Sequence, residues 1–349
     1  MELTYWEQKL PFEYPFTISN GRTKTHQHSL MVRLSLGNWD GFGEAPAIVY
    51  YNVSVEGMME QLEKHRKVIE KFALIDPERF WHFLHHLFPN DPFLVCALDM
   101  AGWDLWGQMK KQPLHKLWGT EWDTNTLPPI CDYTLGIDPI EKMVQKMEAH
   151  PWPIYKVKVG TEYDIEMITA LRKHTDKPIR VDANAGWTTE EALLKIPALA
   201  SLGVELVEQP LAKDNWEGMQ QLKQQGILPL FADESCVYEK DVATCANYFD
   251  GINIKLTKCS GLTPALRMIK EARSLGLKVM MGSMNESVIG SAAIAQFLPQ
   301  LDYVDMDGPL LMTEINGVGL NYSFENDNGR IEPLKYYGLG VQYRTPFKK

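Results

Sequence analysis

Histidine and cysteine are scarce in this chain. All nine histidines lie at or before His174, so the later part of the 349-residue sequence offers no imidazole base or ligand. The five cysteines are scattered and form no CxxC pair, which predicts neither a disulfide framework nor a zinc site. This cysteine usage favours a reducing compartment, and we expect a cytoplasmic protein.

A surplus of positive charge is also missing. The chain has 35 Lys and Arg against 45 Asp and Glu, a formal charge of −10, and no basic cluster that would release counterions from nucleic acid. No apolar stretch is long enough to span a bilayer, and the N-terminus MELTYWEQKL lacks the apolar core of a signal peptide. We therefore expect neither a nucleic-acid partner nor a membrane partner.

What is present is the composition of a globular protein, 45% hydrophobic and 23% charged. Residues 1 to about 50 alternate apolar and polar side chains around turn signals, which predicts a strand meander. Three helices are predicted next, over 54–72, 76–87 and 92–109. Together these elements predict an N-terminal α+β domain at 1–125.

Strand and helix patterns alternate from about residue 128 to residue 309, which predicts a parallel sheet with right-handed crossovers. The first strand of this part is expected within 130–136. Its helices are expected at 162–174, 188–202, 215–225, 238–246, 262–275 and 287–298. We therefore expect an α/β barrel at 126–310 and a C-terminal segment at 311–349 that returns to the first domain.

Polar residues recur at intervals of 22 to 28 residues, most of them at the end of a β-branched or apolar run. The positions are Lys158, Asp182, Glu208, Asp233, Lys255, Ser283 and Asp305. One interval has the length of a strand, a helix and two short loops. The pattern predicts that each barrel strand delivers one polar group to the same end, and that end is where (β/α)₈ barrels carry out their chemistry.

Three of these residues, Asp182, Glu208 and Asp233, end consecutive predicted strands. Three carboxylates without a nearby histidine or thiolate suit a hard divalent cation, Mg²⁺ in particular. Helix caps or salt bridges at the barrel rim are the alternative interpretation. Three acids at the barrel interval favour the metal site.

Two lysines, Lys158 and Lys255, flank this metal site from nearly opposite sides of the predicted ring. Two amines that face each other can remove a proton from one face of a carbon and return it to the other. A lysine acts as a base when its pKa falls toward neutrality, and we expect the charge of Lys156 and of the cation to lower it. We interpret Lys156 as a group that holds a substrate carboxylate; lysines extending to the rim are the alternative.

Five motifs in this order resemble those of the enolase superfamily, in its muconate-lactonizing-enzyme-like subgroup. They are YKVKVG, VDANAGW, VEQP, ADES and NIKLTKCSG. The resemblance implies a modified TIM barrel, (β/α)₇β, with an N-terminal α+β capping domain, one Mg²⁺ per active site and a stabilised enediolate intermediate. It leaves the reaction open, because the subgroup includes epimerisation, o-succinylbenzoate synthesis, lactone formation and N-succinylamino acid racemisation.

The segment YVDMDGP resembles the DxD motif with which dipeptide epimerases hold the α-ammonium of their substrate. Asp305 and Asp307 are suited to this role, since both would lie on one face of a strand. A structural ion pair is the alternative for these two acids. The resemblance therefore favours an isomerase that epimerises the C-terminal residue of a dipeptide, with Lys158 and Lys255 as the two bases.

Further residues are expected near the substrate by the same resemblance. Thr134, Ser283 and Met284 are expected to contact it, while Asn184 and Glu234 are expected to orient the metal site and Lys255. Asn184 follows Asp182 by two residues, so strand alternation predicts that the two side chains share one face. Arg22, in the loop SNGRTKT, would pair with a glutamate side chain. That pairing would make the activity L-Ala-D/L-Glu epimerisation, in murein peptide metabolism.

Several alternatives stay open at this point. They are an epimerase of hydrophobic or cationic dipeptides, o-succinylbenzoate synthase, N-succinylamino acid racemase, and a metal-stabilised binding protein without catalysis. The intact set of three acids and two lysines argues against the last of these. A homo-oligomer is compatible with the sequence.

Overall fold

The computed structural model describes residues 1–17, 23–120, 128–313, 317–323 and 330–343. These residues form an antiparallel sheet with three long helices and, beyond it, an eight-stranded parallel sheet surrounded by helices. The predicted fold class, an α/β barrel with an α+β domain in front of it, is confirmed. The larger hydrophobic core runs from the barrel into the N-terminal sheet, where Met31 and Phe42 belong to it.

The N-terminal domain begins with the predicted meander. Its strands are β1 (Glu2–Thr17), β2 (Thr23–Leu36) and β3 (Trp39–Pro46), and its helices are α1 (Val55–Glu70), α2 (Pro77–Leu87) and α3 (Pro92–Lys110). Ser54 caps the start of helix α1, and its hydroxyl accepts a hydrogen bond from the Gly57 amide. Asp76 caps the start of α2, and its carboxylate accepts from a backbone amide of the first turn. A 3₁₀ turn, Val49–Tyr51, links the sheet to α1.

Helix α3 packs closely on the sheet because two glycines of β3 leave it room. A Cβ atom at Gly43 would lie 1.9 Å from the carbonyl oxygen of Ala97, and one at Gly41 would lie 2.2 Å from that of Ala101. Only hydrogen fits at these positions. The short helix α4 (Leu114–Leu117) follows α3 and leads toward the barrel.

The barrel strands run in sequence order around the sheet, and each pair of neighbours is parallel. They are β4 (Tyr133–Leu135), β5 (Tyr155–Lys158), β6 (Ile179–Asp182), β7 (Val204–Glu208), β8 (Leu230–Ala232), β9 (Gly251–Ile254), β10 (Lys278–Gly282) and β11 (Tyr303–Asp305). A parallel bridge between Cys131 and Val304 joins the first strand to the last. The sheet therefore closes on itself.

The helices of the barrel confirm most of the predicted positions. They are α5 (Ile140–Ala149), α6 (Asp164–Arg172), α7 (Thr189–Ser201), α8 (Trp216–Gln225), α9 (Val242–Cys245), α10 (Leu256–Cys259), α11 (Leu262–Ser274) and α12 (Val288–Ala295). No helix in the described parts of the chain is long and apolar enough to cross a membrane.

Three barrel helices differ from the prediction. The short α10 was not predicted, and neither was α5, although the apolar residues of α5 face the barrel in helical spacing. The expected helix at 238–246 is broken into a 3₁₀ turn, Glu239–Asp241, and the short α9, because the carboxylate of Asp241 accepts from the amides of Val237 and Tyr238.

The C-terminal segment contacts the N-terminal domain. After the 3₁₀ turn Gly308–Leu311 come β12 (Gly317–Val318), β13 (Leu320–Ser323), β14 (Arg330–Pro333) and β15 (Gln342–Tyr343), paired as β12 with β15 and β13 with β14. The amide of Leu339 donates to Asp104 of α3 over 2.8 Å. The expected boundary near 125 lies outside the described residues, so the division into 1–125, 126–310 and 311–349 stays a prediction.

Candidate active site

The barrel strands bring six of the recurring polar side chains to one end of the sheet. In the register of the ladder, Lys158 pairs with Asp182 and Asp182 pairs with Glu208, so the three lie at one level. Asp233 and Lys255 each directly follow the last residue of their strand, and Asp305 is the last residue of β11. A parallel ladder places these carboxyl ends together, as the interval in the sequence predicted.

The three carboxylates form a compact and buried cluster. Asp182, Glu208 and Asp233 each offer an oxygen, and these oxygens all lie within 4.8 Å of one another. Among the described residues no other group of His, Cys, Asp and Glu converges in this way. An all-oxygen set of this charge fits a hard divalent cation and is poorly suited to a soft metal.

Lysine charges set the protonation of these acids. Burial acts to raise the pKa of Asp182, but the ammonium groups of Lys158 and Lys156 outweigh it and hold the pKa below its ordinary value. Burial also acts to raise the pKa of Asp233, but the charges of Lys255 and Lys258 outweigh burial and lower the pKa. The pKa of Glu208 is raised, because burial and the charge of Asp182 outweigh the lowering effect of the Lys156 ammonium.

Lys158 and Lys255 stand on either side of this cluster and line the same cavity of about 430 Å³. Lys158 Nζ lies 2.6 Å from Asp182 Oδ2, and Lys255 Nζ lies 2.7 Å from Asp233 Oδ2. Burial acts to lower the pKa of Lys255, but the charge of Asp233 outweighs it and the pKa is raised. The expected lowering of the lysine pKa included the charge of the cation, and a bound cation would neutralise the carboxylates that raise it here.

Lys156 is surrounded by carboxylates. Its Nζ donates to Asp305 Oδ2 over 2.7 Å and lies 2.8 Å from Glu208 Oε2 and 3.3 Å from Asp182 Oδ2. The residue is 1% exposed and is not among the side chains that line the cavity. In this arrangement Lys156 neutralises the acids around it, and it would have to exchange a partner to hold a substrate carboxylate.

Asp305 and Asp307 both line the cavity, although they do not share one face of a strand as predicted. Strand β11 ends at Asp305, so Asp307 lies beyond it, where its Oδ2 accepts from the amide of Thr134 over 2.6 Å. Burial, followed by the charge of Asp305, raises the pKa of Asp307. Burial acts to raise the pKa of Asp305 too, but Lys156 holds it below the ordinary value. Thr134 lines the cavity as well.

Asn184 and Glu234 form a pair beside the metal cluster. Strand β6 ends at Asp182 and Asn184 has a φ of 45°, so the expected shared strand face is wrong for this residue. The Asn184 amide donates to Asp182 Oδ1 over 2.9 Å, and its side chain reaches Glu234 Oε1 at 3.4 Å. The hydrogen-bond partner of Glu234 is thus Asn184 and not the expected Lys255. Burial and the charge of Asp233 raise the pKa of Glu234 to about 8.

The N-terminal domain also lines the cavity. Ser283, Met284 and Asn285, which follow β10, line it together with a set of residues from that domain. The set comprises Phe16, Thr23, Lys24, Ile48, Val49, Tyr50 and Tyr51. Arg22 lies outside the described residues. No strand interval marks the N-terminal residues. Thr23 and Lys24 belong to the loop SNGRTKT, which is expected near the substrate, and sequence reasoning missed the other five.

Two further residues of the site were also missed. Asn253 donates to Glu208 Oε1 over 2.7 Å; it lies two residues before Lys255, so strand alternation could have revealed it. Lys258, on α10, donates to Oδ1 of Asp233 and, over 2.5 Å, to its carbonyl oxygen. Asp233 is therefore held between two lysines of one short segment.

A capped parallel barrel that gathers three carboxylates between two lysines has the architecture of the enolase superfamily. Residues 139–346 match the enolase C-terminal domain-like family, and the chain belongs to that family. An L-Ala-D/L-amino acid epimerase of Flavobacterium johnsoniae is 48% identical over 334 residues, which cover 94% of this chain and 98% of the relative. An L-Ala-D/L-Glu epimerase of Bacteroides thetaiotaomicron is 35% identical, with 98% of this chain and 88% of the relative covered.

A solved structure has the same fold over nearly the whole length. The dipeptide epimerase of Cytophaga hutchinsonii, complexed with Mg and the dipeptide D-Ala-L-Val, superposes with a TM-score of 0.90 at 26% identity. The alignment covers 99% of this chain and 97% of that one. The capping domain and the barrel are therefore both shared with this enzyme.

Proposed function

We propose that the protein is a dipeptide epimerase that inverts the α-carbon of the C-terminal residue by a 1,1-proton transfer. The observation that carries this proposal is the placement of Lys158 and Lys255. Each lies against a different carboxylate of one buried cluster, and both open into one cavity. Epimerases among the relatives support the same reaction class.

We infer that Asp182, Glu208 and Asp233 hold one Mg²⁺, since their oxygens converge within 4.8 Å and the donor set suits a hard cation. The bound ion would supply positive charge that stabilises a substrate carboxylate as its α-proton leaves. The Mg-containing dipeptide epimerase structure supports this choice of metal.

The two lysines would act from opposite faces of the α-carbon. For one epimer Lys158, in its neutral form, first removes the α-proton, and the ammonium of Lys255 then delivers a proton to the other face. The roles are exchanged for the other epimer. The enediolate formed between the two steps would carry negative charge, and Lys156 would stabilise it by exchanging one of its carboxylate partners for the substrate.

Asp305 and Asp307 would hold the α-ammonium of the dipeptide. Both carboxyl groups line the cavity, together with the lysine pair; Asp305 ends β11 and Asp307 lies in the turn that follows. These carboxylates would attract a cationic group that enters there, whereas they would repel the dianionic substrates of o-succinylbenzoate synthase. This contrast favours a dipeptide over the alternative substrates.

An acidic C-terminal residue is the first candidate for the substrate side chain. Lys24 lines the cavity from the N-terminal domain, and its charge would favour the glutamate of L-Ala-D/L-Glu, a dipeptide of murein metabolism. A second candidate is an apolar C-terminal residue. Phe16, Ile48 and Val49 present an apolar wall on the same side of the cavity.

The test is exchange of the substrate α-proton. The protein with Mg²⁺ is incubated in D₂O with L-Ala-L-Glu, L-Ala-L-Leu, L-Ala-L-Phe and L-Ala-L-Lys, and deuterium uptake and chirality are followed by mass spectrometry. We expect uptake with inversion at the C-terminal residue, fastest for Glu if Lys24 dominates and for Leu or Phe if the apolar wall dominates. No exchange with any dipeptide would reject the proposal.

Variants of the lysines separate the two bases. Lys158→Ala and Lys255→Ala should each abolish epimerisation, while each still exchanges deuterium into the one epimer whose α-proton faces the remaining lysine. Full epimerase activity in either variant would reject the two-base assignment.

A further inference from the structure

The cavity-lining loop after β10 is held by a carboxylate of the capping domain. Glu44 lies on β3 and is fully buried. Its Oε1 and Oε2 accept from the amide of Ser287 over 2.9 and 3.0 Å, and Oε2 also accepts from the Ser287 hydroxyl over 2.5 Å and from the Gly290 amide over 3.2 Å. Ser287 is the N-cap of α12, so one glutamate spans the domain boundary and fixes the start of that helix.

The segment between β10 and α12 is short and carries Ser283, Met284 and Asn285, which line the cavity. Inside it, Glu286 Oε2 accepts from the Met284 amide over 2.5 Å, and Asn285 has a φ of 63°. A Cβ atom at Gly308 would lie 2.3 Å from the carbonyl oxygen of Glu286, so the loop also packs against the turn that follows Asp307. The loop therefore has little freedom once its end at Ser287 is held.

We propose that Glu44 is a positioning residue for the dipeptide: by holding Ser287 it sets the loop 283–287 against the substrate. The inference rests on the proposed function, because it assigns the loop to dipeptide binding. Glu44 touches none of the lysines or metal-site acids through the hydrogen bonds of the described residues. Its loss should therefore weaken substrate binding and leave proton transfer largely intact.

The test compares Glu44→Ala with Glu44→Gln and with Asp104→Ala as the matched control. Asp104 is also a buried carboxylate of the capping domain. It accepts from the amides of Phe42 on β3 and of Leu339, so it holds that strand and the C-terminal segment and not the cavity loop. Glu44→Gln keeps one acceptor oxygen, so it should keep part of the hold on Ser287 that Glu44→Ala removes.

We expect Glu44→Ala to raise KM for the best dipeptide by about tenfold, the scale for losing hydrogen bonds to a charged group, with a much smaller change in kcat. Glu44→Gln should lie between that variant and the unmodified protein, and Asp104→Ala should leave KM unchanged. An unchanged KM in Glu44→Ala, or an equal rise in Asp104→Ala, would overturn the proposal. If Glu44→Ala does not fold, Glu44→Gln carries the test, and an unchanged KM in it has the same meaning.

A second measurement needs no turnover. Amide hydrogen exchange of the peptide 283–290 in the protein without substrate should accelerate in Glu44→Ala and not in Asp104→Ala. Unchanged exchange in Glu44→Ala would show that Glu44 does not hold the loop. If the unmodified protein exchanges no dipeptide, the proposed function fails, while the amide measurement still decides whether Glu44 fixes the loop.

Discussion

Replacing Lys258 by methionine should destabilise the protein, and Mg²⁺ should reverse part of that loss. Lys258 is fully buried, and its Nζ contacts Oδ1 of Asp233 and the carbonyl oxygens of Asp233 and Cys236. The substitution leaves these acceptors unpaired and removes one of the two cations at Asp233, since Lys255 remains. Breaking a buried pair costs about 3–5 kcal/mol, and we take about 3 because of the second lysine.

This cost converts into a modest change of melting temperature. An unfolding entropy of about 2.1 cal/mol/K per residue gives roughly 0.7 kcal/mol/K for 349 residues, so Tm should fall by about 4 °C. Loss of a positive charge beside the carboxylate cluster also strengthens its attraction for a divalent ion. If Mg²⁺ then binds tenfold more tightly, saturating Mg²⁺ recovers about 1.4 kcal/mol, or roughly 2 °C.

Thermal denaturation with and without Mg²⁺ measures both effects. Lys195→Met is the control, because Lys195 makes a similar pair with Asp164 and the carbonyl oxygen of Thr161 away from the cluster. Its Tm should fall by the same amount with Mg²⁺ or without. The reasoning is refuted if Lys258→Met keeps its Tm, or if Mg²⁺ raises the Tm of this variant no more than that of the unmodified protein.

Two other predictions concern the capping domain. Gly43→Ala should cost at least about 1–3 kcal/mol in chemical denaturation, because its Cβ would lie 1.9 Å from the Ala97 carbonyl oxygen; unchanged stability would contradict that contact. Burial raises the pKa of Asp99 from 3.8 to about 7, so the folded state retains a proton that the unfolded chain releases, and this contribution to stability is lost as pH rises from about 4 to 7. Relative to Asp99→Asn, the unmodified protein should lose up to about 1.4 kcal/mol per pH unit in that window, and a pH-independent difference would refute this.

The barrel and most of its polar end could be predicted because the relevant signals are local. Each strand from β5 to β11 ends in a polar residue or is directly followed by one, and the geometry of a parallel barrel then brings Asp182, Glu208 and Asp233 together. Strand alternation failed where it was applied past the end of a strand. Asn184 lies beyond β6 and Asp307 beyond β11, so their side chains are directed by turns.

Contacts between the domains leave no local pattern in the sequence from which they could be predicted. Glu44 reaches Ser287 across 243 positions of the chain, and Tyr51 enters the cavity from a turn that no periodic pattern marks. A buried acid such as Glu44 looks like an exposed one in the sequence, because three of its donors are supplied by a helix start that is distant in the chain.

This division has a consequence for specificity. The barrel end supplies the acid cluster and the two lysines to which we assign proton transfer, and strand geometry places them. Phe16, Lys24, Ile48 and Val49 of the capping domain line the same cavity, and we assign to them the contacts with the substrate side chain. Because these residues lie outside the strands of the barrel, they can change without disturbing the carboxylates or the lysines. Relatives that share the barrel site can therefore differ in the dipeptide they prefer, and a substitution such as Lys24→Leu should shift preference from acidic toward apolar C-terminal residues while the exchange chemistry is retained.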